Sequence, residues 1–389
     1  MTRQAPGKLL IAGEYAVLTP GQPAIVAAVD RYVTVTAAPA QHADIELITD
    51  LTDHPFQLHR DRRGLLPRPA ANSSPRPPAL THLLGVLSTV EQLRAELDIP
   101  PMPVRLTVRS HLHHQGVKIG LGSSGAVTAA ATEALLDLYE MSLPPEMRLR
   151  LALLATAAID PHASGADVAA ATFGGWTLYT PPDRDVLRQA VRAGGVAAAL
   201  RSPWPGLSLR SLAPPTCSLH VGWTGSPAST PAQVHRLRQT AWWDSTAHRR
   251  FAHDSGQAVR ALARALDHGD EEAVIEGIST AGSLLARLDQ DTSVGIFTPA
   301  LSSLCEAARI AGGAGKPSGA GGGDCGIALL PAGTTPQVLQ GLWSAIGVRP
   351  LDLRSAPQLA ALDRPPHALG PQPVGADPGM APPTSWRTL

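Results

Sequence analysis

KIGLGSSGAV, residues 118–127, leads from a strand-like approach into a long Ala- and Leu-rich helix, and its reading decides the fold. Gly120, Gly122 and Gly125 leave the backbone bare. Leu121 is the one apolar side chain between the first two glycines. Bare N–H groups at the start of a helix form an anion site. Ser123 and Ser124 can cap that helix or reach a phosphate-bound Mg2+. The stretch is not a Walker loop, because GxxxxGK[ST] is absent, and it does not match GxGxxG. On the loop alone, a phosphate site and a glycine-rich turn with a serine cap both stand.

Working outward, the lysines single out two further loops. The chain holds three lysines, and each sits in a glycine-rich stretch: Lys8 in APGKLLIAGEY, Lys118 in GVKIGLGSSGAV and Lys316 in GKPSGAGGGDC. Arginine supplies the rest of the 32 basic residues. A slim, mobile point charge suits a phosphate where a planar fork does not fit. The stretch through Ser318, Gly319, Ala320, Gly321 and Gly322 costs much chain entropy, which favours close backbone approach over a linker. Lys8 heads a strand, where a structural lysine would point to water. Asp167, in SGADVAAATFGG, is a carboxylate partner for it or a helix cap. His111, His113 and His114 offer metal-ligand spacing or a polar strand end.

Composition narrows the class. A chain of 389 residues buries a large core in one or two domains. The formal charge of +0 and an aromatic content of 4% indicate neither a nucleic-acid nor an acidic-membrane partner. Cys217, Cys305 and Cys325 are an odd, sparse set without metal spacing, which predicts reduced thiols in a cytoplasmic setting. No apolar run is long enough to span a membrane.

Periodicity predicts strands over 8–12, 24–36, 44–49, 103–109, 176–179, 218–223, 325–330 and 348–354. It predicts helices over 79–97, 123–139, 145–158, 232–250, 254–267, 271–287, 298–311 and 336–346. Residues 60–78 read as a mobile Arg/Pro-rich loop. Interleaved strands and helices give an α+β, two-domain architecture. The proline-rich stretch 181–215 reads as a connecting segment between domains at 1–180 and 216–364, and 365–389 as a disordered tail.

Taken together, PGKLLIAGEY, GLGSSGAV and SGAGGGDCG resemble the three motifs of the GHMP kinase superfamily, in order. The likeness runs over about residues 5–355. GEY and VGWTGSPAST favour its phosphomevalonate kinase branch. The resemblance implies a ribosomal-protein-like α+β N-terminal domain and a ferredoxin-like C-terminal domain with the site between them. It implies ATP and Mg2+ as cofactors, a small-molecule acceptor (phosphomevalonate), and a monomer or homodimer. Lys8 and Asp167 would be catalytic. Lys118 and Gly120 to Gly125 would hold the ATP phosphates, with Ser124 on Mg2+. Tyr15, Trp223, Thr224, Lys316 and the 318–322 loop would meet the acceptor. Thr156 stands where mevalonate kinases carry a second magnesium-holding glutamate. A sister kinase acting on mevalonate or another small alcohol, or a non-catalytic sensor, are the other readings.

Overall fold

The structure is a computed structural model that describes residues 1–41, 43–50, 54–61, 80–114 and 117–359. It opens with β1 (Thr2–Ala12), a short 3-10 turn (Ala16–Leu18) and β2 (Ala24–Pro39). β3 (Ile45–Thr49), β4 (Phe56–Leu58), α1 (Thr81–Glu96) and β5 (Val104–Ser110) follow. A small hairpin, β6 (His113–His114) and β7 (Val117–Lys118), leads into α2 (Ser123–Leu138), α3 (Pro145–Ile159), α4 (Ala166–Phe173) and β8 (Trp176–Thr180). α5 (Arg184–Arg201) and β9 (Ser208–Leu212) close this half.

β2 is the spine of the first sheet, whose path runs β4-β3-β5-β2-β8-β9 with β1 on β2. Its sequence explains this: Val33, Val35 and Ala37 are fully buried and alternate with half-exposed Thr34 and Thr36. β-branched residues at that period fit a pleated, half-buried surface. α2 packs on β1 and β2, and its alanines 126, 129, 130 and 131 are all buried; small side chains let elements approach closely.

The second half begins with β10 (Ser218–Trp223), α6 (Thr230–Arg238), α7 (Thr246–His268), α8 (Glu271–Thr292) and α9 (Pro299–Ile310). β11 (Ala314–Pro317), β12 (Cys325–Leu330), α10 (Gln337–Ala345) and β13 (Arg349–Leu351) complete it. Its sheet runs β11-β12-β10-β13, all antiparallel. Every residue of β12 is buried, matching its unbroken apolar run CGIALL. After β13 the chain returns to the first sheet. Asp30 N donates to Arg354 O (3.0 Å), Ala356 N donates to Ala28 O (2.9 Å), and Trp176 Nε1 donates to Ser355 Oγ (2.9 Å).

Three expectations are corrected. Residues 181–215 are not a free connector: they contain α5, capped by Asp183, and β9, which pairs antiparallel with β8. The prolines stand at the joints, where they start or stop elements, rather than inside them. The helix break in the second half lies at 239–245 and not at 251–253. Asp244 adopts a left-handed φ of 61°, and Ser245 caps α7 by accepting from His248 N (3.2 Å). Arg60, read as part of a mobile loop, is half-buried, with its side chain only 7% exposed. It donates to Glu91 Oε1 and Oε2 (2.9 and 3.0 Å) and to Met102 O (2.7 Å). The rest of that loop, 62–78, and the tail 365–389 lie outside the described residues.

Candidate active site

The site forms where β1, the first turns of α2 and α4, and the β11–β12 loop meet. β1 carries Lys8 past the central loop because Gly7 has no side chain. A β-carbon there would lie 2.7 Å from Leu112 Cδ2 and 2.8 Å from Leu121 O. The β1–β2 register shifts at Pro6/Gly7, a bulge of the kind that re-aims the next side chain. Lys8 N then donates to Leu121 O (2.8 Å), which fixes the lysine under the loop.

Each glycine of the central loop makes room for a charged side chain. A β-carbon at Gly122 would lie 2.8 Å from Lys8 Cγ and 3.5 Å from Asp167 Cβ. One at Gly125 would lie 2.7 Å from Asp167 Cγ, and one at Gly120 would lie 2.4 Å from Asp324 Cβ. Lys8 and Asp167 therefore flank Gly122, the left-handed residue (φ 71°) that opens α2. Among the described residues Lys8 makes no salt bridge, with Asp167 or any other carboxylate. The Ser123 and Ser124 hydroxyls are not spent on capping α2, whose start has no side-chain cap. Leu121 is buried and contributes its carbonyl, not its side chain.

Lys118 stands exposed at the end of the hairpin, and its charge is felt by Asp324 and by His82 on α1. Burial pushes Asp324 above the usual carboxylate range, against the pull of Ala228 N–H, Lys8 and Lys118. Asp324 itself has a left-handed φ of 55°, donates its N–H to Ser226 O (2.7 Å) and accepts from Ala228 N at Oδ1 (3.0 Å). Burial also lowers His82, while Asp167 raises it and Lys118 lowers it. Its buried Nδ1 has no hydrogen-bond partner among the described residues. The sequence offers Asp324 as the end of a glycine run or as a catalytic carboxylate, and does not signal His82 at all.

Several expected acceptor contacts are differently employed. Lys316 is fully buried and donates to Glu14, to Pro317 O (2.7 Å) and to Leu10 O (3.5 Å). It points into the β1–β11 junction and is not a cation offered to an anion. Burial lowers it, against the pull of Glu14. Ser318 Oγ accepts from Leu10 N (3.0 Å) and donates to Leu10 O (3.2 Å). Thr224 donates through N and Oγ1 to Asp324 O (2.9 and 3.0 Å). Trp223 is buried between strands, with Arg349 5.5 Å over its ring. Tyr15 OH donates to Ala320 O (2.5 Å), and burial raises its phenol. Gly319 is the loop residue that faces Lys8: a β-carbon there would lie 3.7 Å from Nζ. Gly321 and Gly322 lean instead on Ile296 and Gln233.

Thr156 is turned into α3, donating to Ala152 O (2.9 Å). Among the described residues no group of three or more His, Cys, Asp or Glu gathers as a metal site, and His113 meets Ser110 Oγ (3.1 Å). Ser124 and Asp167, both hard oxygen donors beside the same helix start, suit Mg2+ completed by phosphate oxygens. Among the described residues no helix is long and apolar enough to cross a membrane.

Comparison with known proteins identifies the family. Residues 85–175 match the GHMP kinases N terminal domain, and residues 262–345 match the GHMP kinases C terminal domain. The chain is 44% identical to a phosphomevalonate kinase of Streptomyces sp. (strain CL190), over 92% of this chain and 97% of the relative. It is 26% identical to a mevalonate kinase of Thermococcus sibiricus, over 84% of this chain and 88% of that one. The crystal structure of Streptococcus pneumoniae phosphomevalonate kinase with phosphomevalonate and AMPPNP superposes with a TM-score of 0.79 at 28% identity. That match covers 91% of this chain and 99% of the other. With the three motifs gathered around the start of α2, the chain belongs to the GHMP kinase family, on its phosphomevalonate kinase branch.

Proposed function

We propose that this protein transfers the γ-phosphoryl group of ATP to the phosphate of 5-phosphomevalonate, giving 5-diphosphomevalonate and ADP. The observation that carries the chemistry is the convergence of Lys8 and Asp167 on Gly122, at the N-terminus of α2. The similarity to the Streptomyces phosphomevalonate kinase supports the choice of acceptor.

Phosphoryl transfer demands alignment and charge neutralisation more than covalent help. The first N–H groups of α2 and its dipole hold phosphate oxygens. Lys8 approaches the same point from β1, without a salt bridge among the described residues. A phosphate monoester with a second pKa near 6 is largely dianionic at pH 7, so its oxygen attacks without a base. That oxygen bonds to the γ-phosphorus as the bond to the ADP oxygen breaks, and no proton has to be removed. Asp167 then serves to orient Lys8 and to hold the metal with Ser124. Mg2+, when bound, neutralises charge that develops on the phosphates.

A panel of acceptors tests the reading: ADP release with phosphomevalonate, mevalonate, homoserine and galactose. Turnover is expected with phosphomevalonate. Faster turnover with mevalonate would overturn the acceptor while leaving the kinase chemistry in place.

A further inference from the structure

Glu14 is a buried carboxylate beside the proposed phosphate site, 2% exposed, in a place where an anion works against the chemistry. Its Oε1 accepts from Lys316 and lies 3.5 Å from Gly319 N. Gly319 is the residue whose other side faces Lys8 Nζ. Lys8 and Lys316 are close enough for the charge of one to depress the other. An ionised Glu14 with no partner would be the natural counter-ion for Lys8, and a lysine drawn to it would leave the phosphates. The observed arrangement prevents this. Lys316 gives Glu14 its hydrogen bond and adds two backbone carbonyls to its own, while Lys8 is left without a salt bridge among the described residues. The pair is net neutral whichever partner holds the proton.

We propose that Lys316 is a positioning residue that acts through Glu14, occupying that carboxylate so that Lys8 stays directed at the transferring phosphoryl group. The role rests on Lys8 acting there, as proposed above. It makes the two halves of the pair unequal. Loss of the lysine releases a carboxylate that competes for Lys8. Loss of the carboxylate releases only a lysine already bonded to Leu10 O and Pro317 O.

Four variants test this, each with kcat and KM measured at pH 8 and a melting temperature. Lys316→Met is expected to lose roughly 30-fold in kcat at pH 8, of the size that misplacement of a catalytic group produces. Glu14→Gln should lower the melting temperature and stay within about 3-fold of wild-type kcat. The double variant Glu14→Gln, Lys316→Met should recover most of the loss, since two residues acting as one unit are non-additive. A Glu14→Gln loss as large as that of Lys316→Met, or a double variant no better than Lys316→Met, would overturn the proposal. Should Lys316→Met not fold, a Glu14→Gln variant as inactive as Lys8→Ala would overturn it as well. Lys8→Ala separates the two levels. If it keeps turnover, the reading of Lys8 fails and this role fails with it. If it collapses while the asymmetry is missing, only the role of Lys316 fails.

Discussion

The loops 118–127 and 316–325 both open on a lysine and are both rich in glycine, yet their glycines are there for different reasons. In the first loop, β-carbons at positions 120, 122 and 125 would meet the side chains of Asp324, Lys8 and Asp167. In the second, β-carbons at 321 and 323 would meet backbone: Ile296 O at 2.4 Å and Ser226 O at 2.5 Å. One loop makes room for chemistry and the other makes room for the fold. Asp289 shows how firmly the second is built. Its carboxylate accepts from the N–H groups of Gly295, Ile296 and Phe297 (2.8–2.9 Å), and so anchors the turn on which Gly321 rests. A glycine loop read from sequence as closing on the acceptor is, over half its length, part of the scaffold.

Substitutions can break that contrast. The largest effect is expected from Gly122→Ala. The added methyl displaces Lys8, so kcat/KM should fall by about 100-fold or more, the cost of an ångström-scale misplacement. Left-handed strain costs it only about 1–2 kcal/mol of stability. A normal kcat/KM would mean that Lys8 need not lie where it is. Gly321→Ala should invert the pattern. Its methyl meets an anchored carbonyl, so stability should fall by about 2 kcal/mol, seen as a lower denaturant midpoint. Its kcat should fall less than that of Gly122→Ala. Equal kcat losses in the two variants would erase the distinction between the loops.

Gly312 supplies the calibration. Its φ is 85°, but a β-carbon there meets nothing within 4 Å. Gly312→Ala should therefore report strain alone, about 1 kcal/mol, with kcat unchanged. The smallest effect concerns Asp324. Its folded-state pKa is raised by burial, so the stability it contributes is present below the unfolded pKa and lost as pH rises through the folded one. Asp324→Asn, which cannot ionise, should melt about 1–2 °C above wild type at neutral pH, with the gap closing toward pH 4. A gap constant with pH would place the desolvation elsewhere.

Much of this was legible in the sequence because the motifs are local. Lys8, Asp167 and Gly122 each sit in a stretch whose strand or helix character is set by its own neighbours. The alternation of β2 and the apolar run of β12 were read correctly for the same reason. What failed depended on distant partners. Lys316 looks like a phosphate cation until Glu14, some three hundred residues away in sequence, is brought against it. Arg60 looks like loop until Glu91 is seen beneath it. Prolines at 181, 182, 203, 205, 214 and 215 suggest a linker because composition records density and not position. The helix break at 239–245 follows from Ser245 and the left-handed Asp244, a capping signal weaker than the surrounding helical pattern.

The strap after β13 has a consequence for how the protein is made. Residues 354–358 bond to Ala28, Asp30, Phe173 and Trp176, in strands and a helix that a ribosome delivers far earlier. The amino-terminal sheet therefore emerges with one flank uncovered, and translation of the whole second half passes before its last partner arrives. Contacts that span so much chain close late, because the intervening loop must be ordered first. During elongation that flank is an exposed template for the wrong partner, and nascent chains stalled before residue 354 are the population in which misassembly should concentrate.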